Sequence, residues 1–182
     1  MLRYALIYGG IIGVVVIALM SLSLFGLGPD SAAATELAGY ATMLVVLSLL
    51  FVGIKRYRDV EHGGVIRFSQ GAAVGIGIAV VAGVIYAISW EVVLAVTDYS
   101  FIETYSQSMI DSVRASGLDP AAEAARIAEI SQSMEAYRNP LFRLPITFIE
   151  IFPVGLIVAL ISALILKNPR VLPARAATGA GA

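Results

Sequence analysis

Two glutamates stand inside otherwise apolar runs of this chain: Glu91 in the stretch from Ser69 to Thr97, and Glu150 in the stretch from Phe142 to Leu166. An ionised carboxylate in the middle of a hydrocarbon layer costs about 3 kcal/mol or more, so each must face a protein interior, be paired, or hold a proton. Two neighbouring carboxyls that share a proton make a proton or cation site. Arg143 lies seven residues, about two helical turns, before Glu150 and is the first candidate counter-charge, with Arg138 a second from the preceding loop. At 1.5 Å per residue, Glu150 falls about 12 Å from Phe142 and Glu91 about 9 Å from Thr97, so antiparallel helices would hold them at similar depth. The expectation is one polar cluster of Glu91, Glu150 and Arg143, both carboxyls pointing inward and within about 10 Å of each other. The competing expectation is that both acids accept hydrogen bonds from Trp90, Tyr86, Thr147 or backbone and lock helix packing.

Other catalytic chemistry finds little support. His62 is the only histidine, and with Asp59 and Glu61 it sits beside the turn Gly63-Gly64, where a solvated loop is the simpler reading than a metal site. The chain has no cysteine, which excludes disulfides and thiolate ligands. It has neither a Gly-x-x-x-x-Gly-Lys phosphate loop nor a Gly-x-Ser-x-Gly elbow. The sequence therefore predicts no catalytic residue, no metal and no cofactor, and a protein that is not an enzyme.

The elements that must position these residues are membrane helices. A chain of 182 residues that is 59% hydrophobic and 14% charged has more apolar surface than one water-soluble core can hide. Crossing the hydrocarbon layer takes about 20 apolar residues in a helix, and four stretches qualify, near 4–25, 37–54, 69–97 and 142–166. No stretch alternates with the period of two that a barrel strand needs. Residues 1–170 are thus expected to form one four-helix domain, followed by a flexible tail over 171–182.

Basic residues set the expected orientation, because Lys and Arg accumulate on the cytoplasmic side. With both termini inside, Arg3, Lys55, Arg56, Arg58, Arg67, Lys167, Arg170 and Arg175 are cytoplasmic. Lys55, Arg56 and Arg58, in the knot Phe51-Val52-Gly53-Ile54-Lys55-Arg56-Tyr57-Arg58-Asp59, read as an anchor to anionic headgroups, not a nucleic-acid patch. The N-terminal run with Ala32-Ala33-Ala34 mimics a cleavable secretory signal, but it is too long, and Gly28-Pro29-Asp30 separates it from the alanines.

The outer third loop, 98–140, reads as an amphipathic helical hairpin. Ile102, Tyr105, Met109 and Val113 recur at helical spacing, as do Ile127, Ile130, Met134 and Tyr137. Asp119-Pro120 is a helix start and Asn139-Pro140 a stop. In the third span Gly71, Gly75, Ala79 and Gly83 repeat every four residues, and Gly9 and Gly13 do so in the first, a groove for close helix approach within the chain or between chains. Bulk at Gly75 should therefore be tolerated less well than bulk at Gly53. Pro153, three residues after Glu150, deprives a carbonyl near residue 149 of its hydrogen bond and is a candidate helix kink.

The basic knot, then Gly63-Gly64-Val65-Ile66-Arg67-Phe68, then Trp90-Glu91, and finally Thr147-Phe148-Ile149-Glu150-Ile151-Phe152-Pro153-Val154-Gly155-Leu156 resemble the DUF4199 family of small bacterial membrane proteins across nearly the whole chain. The resemblance implies a four-helix membrane fold and carries no catalytic residues. The expectation for the whole is an all-α integral membrane bundle in the bacterial inner membrane. It would act through association with the lipid bilayer and with itself or other membrane proteins, and bind no nucleic acid. The alternative is a small proton-linked transporter using Glu91 and Glu150.

Overall fold

The computed structural model describes residues 1–26 and 36–174. Most of the first loop, with its alanine triplet, lies outside the described residues, as do Arg175 and the rest of the C-terminal segment. The fold is all-α, and among the described residues there is no strand. In chain order come α1 (Leu2–Ser21) with a π-helical turn (Leu22–Gly26), α2 (Glu36–Leu47), α3 (Leu49–Glu61), α4 (Phe68–Val96), α5 (Ser100–Ala115), α6 (Pro120–Tyr137) and α7 (Pro140–Leu166). Four stretches are long and apolar enough to cross a membrane: Leu2–Ser21, Leu37–Glu61, Phe68–Val96 and Pro140–Leu166.

Local chemistry explains where the elements begin and end. Asp119 caps α6, its carboxylate accepting from the Ala121 and Ala122 amides at 3.0 and 3.1 Å, and Pro120 takes the first helical position. Asn139 does the same for α7, accepting from the Leu141 amide at 3.0 Å. The Asn139-Pro140 pair therefore starts a helix as well as following one. The second span runs on past Ile54 to Glu61, with only a local loosening at Ser48, whose hydroxyl donates to the Val45 carbonyl at 2.5 Å. Lys55, Arg56 and Arg58 thus belong to α3 itself. Pro153 deprives one carbonyl of its intrahelical partner, yet α7 continues as a single helix to Leu166.

The chain divides into two compact units, Met1–Tyr86 with Ile149–Ala182, and Ala87–Phe148. In the first unit α4 is the central helix. A methyl placed on Gly9 would meet Val81 Cβ at 2.7 Å, on Gly13 Ile85 Cβ at 2.9 Å, and on Gly77 Ala5 Cβ at 3.4 Å. The contacts advance together along both helices, so α1 and α4 run parallel. On another face the order reverses: Gly71 meets Ala163 Cβ at 3.1 Å, Gly75 meets Ala159 Cβ at 2.8 Å, and Gly155 meets Ala79 Cβ at 3.1 Å. The four-residue ladder is therefore an antiparallel seam between α4 and α7 of one chain, with Gly83 also buried. Gly53 is no looser than the ladder, because a methyl there would meet Ile78 Cδ1 at 2.7 Å and Tyr8 Cγ at 3.0 Å. Ile12, Leu47, Leu50, Ile54, Val74 and Ile78 fill the core between these helices. Ile7, Val14, Val45 and Ile157 face outward, the apolar exterior that a lipid-facing surface has.

The second unit holds the α5–α6 hairpin. Ile102 and Ile130 are buried at its seam, with Met109, Val113, Ile127, Met134 and Tyr137 half-buried around them. Tyr105 departs from the predicted stripe: it is exposed and stacks on Phe101, ring centroids 5.7 Å apart.

Candidate functional site

Arg143 is set one turn into α7, its amide bonded to the Asn139 carbonyl at 3.0 Å, and its guanidinium is fully buried. Its Nε donates to Glu91 Oε1 at 2.6 Å and its Nη2 to Oε2 at 2.5 Å, a two-point grip on the α4 carboxylate. The remaining nitrogen, Nη1, donates to the carbonyls of Tyr137 and Arg138 at 2.9 and 3.2 Å. Those carbonyls close α6 and have no helical partner of their own. The rings of Tyr99 and Tyr137 lie 5.5 and 5.6 Å from the guanidinium carbon, giving the cation two aromatic neighbours.

The surroundings hold this arrangement in place. Trp90, next to Glu91, donates its indole N–H to the Tyr137 hydroxyl at 3.2 Å and meets the Phe101 ring edge-on at 5.1 Å. Thr147 is buried and donates to the Arg143 carbonyl at 3.0 Å. Each nitrogen of the guanidinium has an acceptor, so chemically the pair is a latch joining α4, the end of α6 and the start of α7. A carboxylate gripped at both oxygens is a poor general base and a poor proton carrier.

Glu150 has different surroundings. It belongs to the Met1–Tyr86 and Ile149–Ala182 unit, whereas Glu91 and Arg143 belong to the other. Its carboxyl is hydrogen-bonded to the buried Tyr86 hydroxyl, which also reaches the Met20 sulfur at 3.0 Å. Glu150 itself is exposed on α7, and its bond to Tyr86 is one of the packing contacts expected for the two acids. Residue 150 is ten positions into the helix, about 15 Å along its axis, and so well inside the span.

The basic knot resolves into unlike parts. Arg56 is exposed, and Lys55 is ion-paired with Asp59. Arg58, expected as part of the headgroup anchor, is turned inward and fully buried. It donates to Asp59 at 2.8 Å, to the Leu166 carbonyl at 3.4 Å, and to the Val171 and Leu172 carbonyls at 2.9 and 2.6 Å. It thereby caps the end of α7 and holds the backbone at Val171 and Leu172. The signal for this was present: Leu50, Gly53, Ile54, Tyr57 and Arg58 are the buried positions of α3, one helical stripe in which the arginine is the last member.

Beside Arg58, the Tyr4 hydroxyl donates to Glu61 at 2.8 Å, and the His62 ring meets Tyr57 edge-on at 5.0 Å. His62 Nε2 is buried without a hydrogen-bond partner. Among the described residues no three His, Cys, Asp or Glu side chains converge to hold a metal. In the second unit a shallow cavity of about 300 Å³ is lined by Asp98, Tyr99, Ile102, Glu103 and Arg138. Asp98 and Tyr99 there both have left-handed backbone conformations, φ 50° and 56°, in the tight reversal between α4 and α5.

No curated protein and no solved structure matches the chain. The family described as "Protein of unknown function (DUF4199)" matches residues 7–168, a stretch that takes in Glu91, Arg143, Glu150 and Arg58. With four membrane-length helices and that match over most of its length, the chain belongs to the DUF4199 family.

Proposed function

We propose that this protein is a non-enzymatic component of the bacterial inner membrane that works by lateral association, with both termini on the cytoplasmic side. The observation that carries this reading is the division of labour between the two acids. Glu91 is committed to Arg143, while Glu150 is exposed on α7, within the span, with the Tyr86 hydroxyl as its hydrogen-bond partner and room for a neighbour from outside the chain. A transport route through both acids loses one of its two carriers to the latch.

The basic residues support the orientation. Arg3, Arg56, Arg67, Lys167 and Arg170 are exposed at the start of α1, the end of α3, the start of α4 and beyond α7, and none forms an ion pair among the described residues. Arg114, Arg126, Arg138 and Arg143 all have carboxylate partners. Unpaired cations at one end suit an anionic leaflet, and a surface of both signs suits water.

Reconstitution tests the reading directly. Vesicles containing the purified protein and a trapped pH-sensitive dye should hold an imposed proton gradient as long as empty vesicles do. A photo-crosslinking residue at lipid-facing Ile157 should give discrete higher-mass adducts in intact membranes. Rapid collapse of the gradient, abolished by Glu150→Gln, would replace association with proton transport.

A further inference from the structure

We infer that the occupant of the Glu150 surface is a second copy of this chain, joined through α7; this rests on the association reading above. Glu150, Pro153, Ile157, Leu160 and Leu164 are all exposed. Their spacing of three and four residues draws a stripe along α7 with the 3.5-residue period of a two-helix seam. This stripe is distinct from Gly155, Ala159 and Ala163, which are buried and taken up by α4. A single polar side chain in such a seam fixes register, because any slip leaves it facing hydrocarbon.

Two features single out a second copy over an unrelated partner. Membrane proteins inserted in one orientation meet about an axis along the membrane normal, which places each α7 residue opposite itself at equal depth. A protonated carboxyl is also its own complement, donating one hydrogen bond and accepting another from an identical group. Glu150 facing Glu150 therefore satisfies both carboxyls without any further residue.

The absence of cysteine makes the test clean, since every introduced thiol is unique. Ile157→Cys in the full chain, oxidised in native membranes, should give a disulfide-linked species of twice the chain mass. Ile11→Cys, exposed on α1, should give several-fold less. Adding Glu150→Leu to Ile157→Cys should lower the dimer association constant about tenfold, or about 1.4 kcal/mol, whereas Glu150→Gln, which can also pair with itself, should retain most of it. Equal crosslinking at Ile11 and Ile157, or no effect of Glu150→Leu, would overturn the inference. Photo-adducts at Ile157 of some other mass, with no doubled species, would overturn the second copy and leave association standing. No adduct of any kind would overturn both.

Discussion

Replacing Arg143 with Met is the most informative single perturbation, because the side chain keeps its reach and loses all four of its polar contacts. The Tyr137 and Arg138 carbonyls lose their donor, at about 1 kcal/mol each for buried acceptors. Glu91 loses both its hydrogen bonds and its counter-charge. Its side chain is 21% exposed, so some solvation remains and the stranded carboxylate adds about 2 kcal/mol, below the roughly 3–5 kcal/mol that breaking a fully buried pair costs. The expected total is about 4 kcal/mol, which for a chain of this length lowers the unfolding midpoint by about 10 °C. Trp90 is the only tryptophan, and it lies in the same unit, bonded to Tyr137. Its fluorescence during heating in mild detergent therefore reports on the latch itself. Glu91→Gln should cost about 2 kcal/mol by leaving the guanidinium half-answered, and the Arg143→Met, Glu91→Gln double variant should be more stable than the sum of the singles by at least about 1 kcal/mol. Strictly additive singles, or a midpoint for Arg143→Met unchanged from the parent, would refute the latch.

Three further outcomes follow from the same geometry. Gly75→Leu should prevent stable folding, whereas Gly39→Leu, where a methyl meets nothing within 4 Å, should change the unfolding midpoint little; gel filtration in detergent and thermal scans compare them. Arg58→Met should destabilise by about 3 kcal/mol and expose the segment after Leu166 to limited proteolysis, while Arg56→Met at an exposed position should shift stability by less than about 0.5 kcal/mol. Reporter fusions at Gly63 and after Arg170 should register as cytoplasmic and one at Gly117 as external; the reverse pattern would overturn the proposed orientation.

How much was legible in the sequence depended on what kind of pattern carried it. Span number, helix type and the α5–α6 hairpin follow from length, periodicity and the Asp119-Pro120 start, all of which are local. The glycine ladder was legible as a contact surface, but not its partner. Gly155, Ala159 and Ala163 form the matching ladder on α7, and reading the two together requires knowing that the helices run antiparallel and in which register. Gly53 lies outside the ladder, yet Tyr8 and Ile78 close over it from two other helices, a contact that no spacing within α3 indicates. The acids divide similarly. Cost in hydrocarbon indicates that Glu91 needs a counter-charge and makes Arg143 the nearest candidate, but rotation about the α7 axis decides which way Glu150 faces, and the residues on either side of it, Ile149 and Ile151, are both apolar.

Arg58 and Arg143 show why charge near a membrane surface is a weak guide to exposure. Both occur where a helix ends, and both are fully buried with a carboxylate on one edge and carbonyl oxygens on another. Arg58 closes α7 and Arg143 closes α6. The last carbonyls of a helix that ends at the edge of an apolar layer have neither a helical donor nor ready access to water, and an isolated orphan there costs several kcal/mol. A guanidinium can serve several such acceptors at once while its planar face stacks on aromatic rings, as Tyr99 and Tyr137 do for Arg143. Lysine, with a single ammonium, could not hold a carboxylate at two points and two carbonyls together, so Arg143→Lys should recover only part of the stability lost in Arg143→Met. Full recovery would mean that charge alone, and not the fork of donors, joins these helices.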